Sequence, residues 1–331
     1  MTKKYKKKVF SRHFVRILIL VALAIGFSFF GTSGWFFELF THFVFQYLII
    51  LVFLAICLLF SRRYLWMFVA ISLAFTQIFN LLPMWRKPTT VASRLMNSKV
   101  DHVCIMQYNV DRKNEHVNDI AKWIVDHAEE VDILVLFEVT DKWQVAIERV
   151  KWLYPYHITQ EVRGGRSVIV LSKLLVDELE IQKINQENSA IVIRGSTLDN
   201  DIPFVLYAIH PESPTLPAKA KSRNNYVLAA SKSIAKEKFL HKILLGDFNM
   251  TRFSPYLKEA EKISGLRDSS EGTGWHSSWP AFLPKIFNIP IDGMLISDWI
   301  ISDSKQTGPA IGSDHYPVIT NLSFVVPGKG E

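Results

Sequence analysis

Hydrophobic positions are distributed very differently in the first 90 residues and in the rest of the chain. Three long apolar blocks fill the start, over residues 14–30, 43–60 and 64–82, and Arg16 is their one charged residue. Each block matches the roughly 17–20 residues that cross a bilayer core as a helix. A cleaved signal peptide would carry one short apolar run, whereas three buried helices of a globular domain are the competing interpretation. The pattern predicts an N-terminal membrane anchor, residues 1–86, with three transmembrane helices.

Positive charges beside these blocks predict their orientation. Residues 1–16 contain seven Lys and Arg residues, and Arg62 and Arg63 lie between the second and third blocks. Residues 31–42, between the first and second blocks, contain no Lys or Arg. Because cytoplasmic loops are enriched in Lys and Arg, the N-terminus is predicted in the cytoplasm. Three crossings then predict an integral protein of the bacterial inner membrane or plasma membrane, with the rest of the chain in the periplasm or outside the cell.

The charge balance changes once the anchor is set apart. The chain has 38 basic and 31 acidic residues, a net charge of +7, but residues 1–90 hold 11 of the basic residues and only Glu38 among the acidic ones. The remaining residues carry 27 basic and 30 acidic side chains, a formal charge of −3. This balance disfavours a domain that attracts nucleic acid by bulk charge, although it does not exclude a local basic pocket.

Beyond residue 100 the apolar runs have the length of strands and alternate with amphipathic helical segments. Buried strands are predicted at residues 102–110, 133–137, 204–209 and 243–245, and helices at 118–130, 141–150 and 219–239. Residues 87–100 form the predicted linker. An α/β domain over residues 101–325 follows from this alternation.

Polar residues with catalytic chemistry follow the ends of the predicted strands. They are Asn109, Glu138, His210, Asp247 with Asn249, Asp292, and Asp314 with His315. Asp247 and Asn249 lie two residues apart, which puts them on one face of an extended backbone. Each position alone has an ordinary explanation, an Asx turn for Asp247 and Asn249 or a solvated strand end for Glu138. Their recurrence favours one cleft that gathers them.

The order of these motifs resembles the endonuclease/exonuclease/phosphatase superfamily, which contains the DNase I-like enzymes. The resemblance covers residues 101–323 and is carried by Gln107-Tyr108-Asn109, Glu138, His210, Gly246-Asp247-Phe248-Asn249, Ile291-Asp292 and Gly312-Ser313-Asp314-His315-Tyr316-Pro317. It is closest to bacterial members with N-terminal transmembrane helices. The resemblance implies a two-sheet α/β sandwich flanked by helices and hydrolysis of phosphoesters with a divalent metal.

The resemblance also implies roles for the candidate residues. Glu138 would be the main metal ligand, assisted by Asn109 and Asp314, and these hard oxygen donors suit Mg²⁺ or Mn²⁺. Asp247 would orient or deprotonate the attacking water, and Asn249 would hold the phosphate. His315, oriented by Asp292, and His210 would contact the phosphoryl group. Many members carry His after the Asp292 position, where this chain has Gly293.

The sequence therefore predicts a membrane-anchored, divalent-metal-dependent phosphoester hydrolase, with phosphodiester cleavage of the nuclease type ranked first. A phospholipid or inositol-phosphate phosphatase or phosphodiesterase of the same fold is the first alternative. A non-catalytic membrane interaction protein is the alternative from another class, but it would not need so many intact polar strand ends. The expected partners are the lipid bilayer and a phosphoester in a nucleic acid, a lipid headgroup or a small metabolite.

Overall fold

The computed structural model describes residues 3–94, 99–162 and 166–326, so part of the predicted linker lies outside the described residues. The N-terminal helices are α1 (Lys3–Ser28), α2 (Trp35–Leu39), α3 (Val44–Phe60) and α4 (Tyr64–Leu81). Three stretches among them, Ser11–Ser28, Trp35–Phe60 and Tyr64–Met84, are long and apolar enough to cross a membrane. The three predicted apolar helices are thus confirmed.

These helices pack on one another through a narrow stripe and leave the rest of their apolar surface exposed. Leu18, Leu51, Leu54 and Leu58 are buried between them, whereas large side chains such as Phe60 point outward. A helix that is apolar all round belongs in a protein interior or in a bilayer.

Residues 31–42 were expected to form a connecting loop, but the structure has short helices there. A 3₁₀ turn at Gly31–Ser33, helix α2 and a second 3₁₀ turn at Phe40–Phe43 follow one another without an extended segment. The Glu38 carboxylate in α2 is buried and pairs with the Arg223 guanidinium of the following domain. A charge can be buried only when it is paired, so this contact ties the N-terminal helices to the domain.

The remainder of the chain forms two six-stranded sheets with helices outside them. The first sheet has the order β11-β12-β1-β2-β4-β3 and the second β5-β6-β7-β8-β10-β9. The strands are β1 (Val100–Asn109), β2 (Ile133–Val139), β3 (Tyr156–Val162), β4 (Arg166–Ser172), β5 (Leu175–Lys183), β6 (Ser189–Ser196), β7 (Pro203–Ile209), β8 (His241–Asp247), β9 (Arg267–Asp268), β10 (Asp292–Ile296), β11 (Ile300–Thr307) and β12 (Val318–Val325). The helices are α5 (Val91–Arg94), α6 (Val117–His127), α7 (Gln144–Lys151), α8 (Pro217–Ala235) and α9 (Pro255–Ser264).

The two sheets face each other across an apolar core and each carries helices on its outer side. Ile105 and Val135 of the first sheet meet Leu206 and Leu245 of the second in this core. Helices α6 and α7 cover the outer face of the first sheet, and α8 and α9 cover that of the second. The predicted two-sheet sandwich flanked by helices is confirmed.

The strand directions bring the polar strand ends together. Strand β1 is parallel to β2, and β7 is parallel to β8, so each pair ends at the same edge of its sheet. Strand β12 is antiparallel to β1 and β10 is antiparallel to β8, so both begin where their neighbours end. Asp292, for example, is the register partner of Asp247.

Candidate active site

A cavity of about 370 Å³ opens at this common edge of the two sheets. Seven of the eight predicted site residues line it: Asn109, Glu138, His210, Asp247, Asn249, Asp314 and His315. The eighth, Asp292, is buried and hydrogen-bonded to His315. The structure therefore brings all eight to one place, while their catalytic roles stay predictions.

A buried chain of Asp292, His315 and Asp247 forms the floor of the cavity. His315 Nδ1 lies 2.8 Å from Asp292 Oδ2, and its Nε2 lies 3.7 Å from Asp247 Oδ2. Burial lowers the pKa of His315, but the Asp292 and Asp247 carboxylates outweigh it and raise that pKa above its ordinary value. The ring therefore lies between two carboxylates that favour its charged form.

Asp247 is the residue that joins the two sheets at the site. Its Oδ2 accepts a hydrogen bond from Asn109 Nδ2 at 3.0 Å, and its Oδ1 accepts one from the Asn249 backbone N–H at 3.0 Å. The second bond is the Asx-turn contact, so the local turn and the site geometry occur together. Burial, with a smaller contribution from Asp292, raises the pKa of the Asp247 carboxyl.

Glu138 reaches the cavity from a distorted part of β2. The register between β2 and β4 shifts between Leu136 and Val139, and Glu138 lies at this bulge with φ of 59°. Bulges re-aim side chains, and a non-glycine residue in this region costs about 1–3 kcal/mol. Asp111 and Asn249, which also line the cavity, have φ of 55° and 52°. Strain of this kind concentrates at functional sites.

Three of the carboxylates at the site, those of Asp247, Asp292 and Asp314, surround a single imidazole, that of His315. Within the described ranges, His315 is the one cationic side chain within 4.0 Å of Asp247, Asp292 and Asp314. An excess of hard oxygen donors suits a divalent cation such as Mg²⁺.

Asp247, Asp292 and His315 lie close enough together to hold a metal ion, with their ligand atoms within 4.8 Å of one another. However, His315 and Asp292 are already hydrogen-bonded to each other through Nδ1 and Oδ2 at 2.8 Å. We therefore interpret this cluster as a charge-compensated triad. Glu138, Asn109 and Asp314, which line the cavity, remain the predicted metal ligands.

The absence of a side chain at Gly293 has a packing reason. A Cβ atom at this position would lie 2.7 Å from Cδ2 of Phe248, which is fully buried. A histidine, which many relatives of the superfamily carry here, would therefore require Phe248 to move.

The sequence did not reveal the residues that line the cavity from the N-terminal helices. Leu39, His42 and Phe43 do so; Leu39 and His42 lie between the first two apolar blocks, and Phe43 begins the second. Trp279 also lines the cavity and donates from Nε1 to Asp314 Oδ2 at 3.1 Å. Hydrophobicity alone distinguishes none of these from ordinary apolar positions.

The sandwich is similar to solved structures of a known class. An endonuclease/exonuclease/phosphatase family protein from Bacteroides thetaiotaomicron is 16% identical with a TM-score of 0.56, and the match covers 69% of this chain and 100% of that one. Truncated TDP2 from Caenorhabditis elegans is 17% identical with a TM-score of 0.52, covering 68% and 98%. A mannosyl-6-phosphatase from Bacteroides thetaiotaomicron is 17% identical with a TM-score of 0.53, covering 66% and 99%. These likenesses establish the fold.

A family model extends this result to the sequence. The model described as the Endonuclease/Exonuclease/phosphatase family matches residues 106–315, more than half of the chain. The chain belongs to this family and is a phosphoester hydrolase. A comparison with curated proteins found no match.

Proposed function

We propose that the protein is a divalent-metal-dependent phosphodiesterase attached to a membrane by its N-terminal helices. The observation that carries this proposal is the gathering of carboxylates, amides and imidazoles in one cavity, with three carboxylates around the His315 ring. In this proposal residues 1–86 form the anchor, residues 87–100 the linker and residues 101–325 the catalytic domain.

Each side chain has a role that its contacts support. Glu138, Asn109 and Asp314 would hold Mg²⁺ or Mn²⁺, which supplies charge neutralisation at the phosphoryl oxygens. Asp247 is held by Asn109 and the Asn249 N–H so that its carboxylate faces the cavity, where it would orient the attacking water. The cationic His315 ring, fixed by Asp292, would stabilise the negative charge that develops on the phosphoryl group. His210 and Asn249, which also line the cavity, would bind the phosphate.

Membrane attachment is supported by the three apolar helices and by their contacts with the sandwich. A nuclease and a phosphomonoesterase are neighbouring possibilities, because TDP2 and a mannosyl-6-phosphatase share the fold. The walls that Leu39, His42 and Phe43 add on one side favour a compact substrate over a long duplex.

The test is a hydrolysis assay of the full-length protein in detergent. The substrates are bis(4-nitrophenyl) phosphate, 4-nitrophenyl phosphate and a single-stranded oligonucleotide, each with Mg²⁺, Mn²⁺ or EDTA. The diester should be hydrolysed with either metal, and EDTA should abolish turnover. Glu138→Gln should lower kcat/KM by about 10²-fold or more, because it removes one negative oxygen donor.

Glu129→Gln is the matched control, because that side chain is exposed and lies outside the cavity lining. Its kcat/KM should equal the wild-type value. Turnover that persists in EDTA, or in Glu138→Gln with an unchanged melting temperature, would contradict the metal assignment.

A further inference from the structure

The catalytic cavity is walled on one side by the helices that would lie in the membrane. Leu39 and Phe43 line it together with Asp247 and Glu138, and both belong to the apolar stretch Trp35–Phe60. The first part of that stretch, through Phe43, contacts the sandwich, and helix α3 continues from it. The cavity therefore borders the start of a predicted membrane span.

His42 adds a polar group to this wall. His42 Nδ1 lies 3.0 Å from Thr251 Oγ1 and accepts the Thr251 backbone N–H at 3.4 Å, so we assign Nδ1 as the acceptor and place the ring hydrogen on Nε2. His42 is 6% exposed, and its Nε2 has no hydrogen-bond partner within residues 3–94, 99–162 and 166–326. A buried donor without a partner is costly, and an acceptor oxygen of a substrate in the cavity would satisfy it.

A second part of the cavity lining is apolar and leads to the same membrane helix. Ile289, Ile291 and Trp279 line the cavity there. The segment that leads into this wall, residues 281–287, exposes Phe282 by 73% and Phe287 by 57%.

This segment lies against the start of α3. Gln46 Nε2, in the first turn of that helix, donates to the Ile286 carbonyl at 3.2 Å and to the Asn288 carbonyl at 3.0 Å. Exposed aromatic side chains beside a membrane helix are typical of a surface that lies in the bilayer interface. The apolar parts of the cavity and the expected bilayer surface are therefore continuous.

We propose that the substrate is a membrane lipid with a phosphodiester headgroup, a proposal that rests on the proposed function. Its phosphoryl group lies among Glu138, Asp247 and Asp314, and His42 Nε2 donates to a headgroup oxygen. Its apolar part lies against Leu39, Phe43 and Ile289, which line the cavity, and leads toward the bilayer. The oxygen of a water molecule bonds to phosphorus, one P–O ester bond breaks, and the leaving oxygen takes a proton, which gives an alcohol and a phosphomonoester.

A series of chromogenic diesters tests this substrate class with full-length protein in detergent micelles. The probes are the methyl, octyl and hexadecyl esters of 4-nitrophenyl phosphate, with Mg²⁺, and thymidine 5′-(4-nitrophenyl phosphate) as a soluble nucleotide diester. Burial of the alkyl chain should raise kcat/KM by at least about tenfold from the methyl to the octyl ester. The Leu39→Ser/Phe43→Ser double variant should bring that ratio close to one.

Leu198→Ser is the matched control. Leu198 is exposed, and its turn is bonded to Asp101 at the start of β1, the end of the strand opposite the cavity. Micelles concentrate the long-chain esters equally for every variant, so the octyl-to-methyl ratio isolates the contribution of the wall. The control should keep the wild-type ratio.

The outcomes separate the two proposals. Metal-dependent hydrolysis of the methyl ester without a rise along the series, or with a rise that Leu39→Ser/Phe43→Ser leaves intact, would overturn the lipid assignment and leave the phosphodiesterase standing. Faster turnover of the thymidine ester than of the octyl ester would also overturn it, in favour of a nucleotide substrate. Hydrolysis of none of the four diesters would overturn both.

Discussion

The backbone conformation of Glu138 and the buried environment of His315 are both unfavourable for the isolated residue. Glu138 has a left-handed backbone conformation at a bulge, and His315 is buried with its ring between Asp292 and Asp247. Both states cost free energy that surrounding packing and charge must offset. Each of these residues therefore depends on a supporting feature: the β-bulge holds Glu138 in position, and Asp292 holds the His315 ring.

Replacement of Asp292 tests the dependence of His315 on its partner. Asp292→Asn removes the negative charge that favours the His315 cation and weakens the bond that fixes the ring, so kcat/KM for the phosphodiester should fall by about 10²-fold or more. Steady-state kinetics and thermal unfolding of both proteins measure this. Asp119→Asn, at a carboxylate whose side chain is 70% exposed, should leave the rate unchanged. A wild-type rate in Asp292→Asn would remove Asp292 from the site.

Two helices from distant parts of the sequence meet at a buried ion pair. Glu38 on α2 and Arg223 on α8 are each 1% exposed, and Ser254 Oγ also donates to Glu38 at 2.7 Å. Arg223 Nη1 donates to the Asn249 carbonyl at 2.7 Å, so the pair holds the backbone next to the cavity as well. Helix α2 therefore packs against the sandwich although it lies within the second apolar stretch, Trp35–Phe60.

Breaking one half of this pair should be more harmful than removing both halves. Arg223→Met leaves the Glu38 carboxylate buried without its cation, which costs about 3–5 kcal/mol, whereas Glu38→Leu/Arg223→Met removes both charges and should recover much of that loss. Thermal unfolding of the detergent-purified single and double variants gives the coupling between the two positions. A single Arg223→Met variant with the wild-type melting temperature would show that the pair contributes nothing to stability.

The N-terminal helices and the sandwich have a defined arrangement as a whole. The sandwich contacts the short helices before α3, through Glu38, and the turn after α4, where the Gly274 N–H donates to the Met84 carbonyl at 2.7 Å. The Arg62–Arg63 turn joins the other ends of α3 and α4. The sandwich and this basic turn therefore lie at opposite ends of α3 and α4.

Reporter fusions test this arrangement in cells. Alkaline phosphatase fused after Glu331 should be active, because it folds only outside the cytoplasm, and a fluorescent protein fused there should remain dark. The same reporters fused after Arg63, in a chain that ends there, should give the reverse result. A fluorescent Glu331 fusion would place the sandwich in the cytoplasm and contradict the proposed topology.

The sequence by itself determined the apolar helices, the central strands and the polar residues at their ends. These features can be predicted from local patterns, because a buried strand is a continuous apolar run and the first polar residue marks its end. Residues such as Asn109 and Asp247 could be named for this reason, and the order of the motifs identified the family.

Only the tertiary structure decided which residues complete the cavity and which elements share a core. No local pattern marks Leu39, His42 and Phe43 as cavity residues, and Glu38 contacts Arg223 only because the folded chain brings together positions 185 residues apart. Strands β3 and β5 also escaped prediction, since they carry charged residues and pair at a sheet edge, where a strand needs only one partly buried face. Contacts between distant segments depend on three-dimensional packing, which the local hydrophobic periodicity of the sequence does not show.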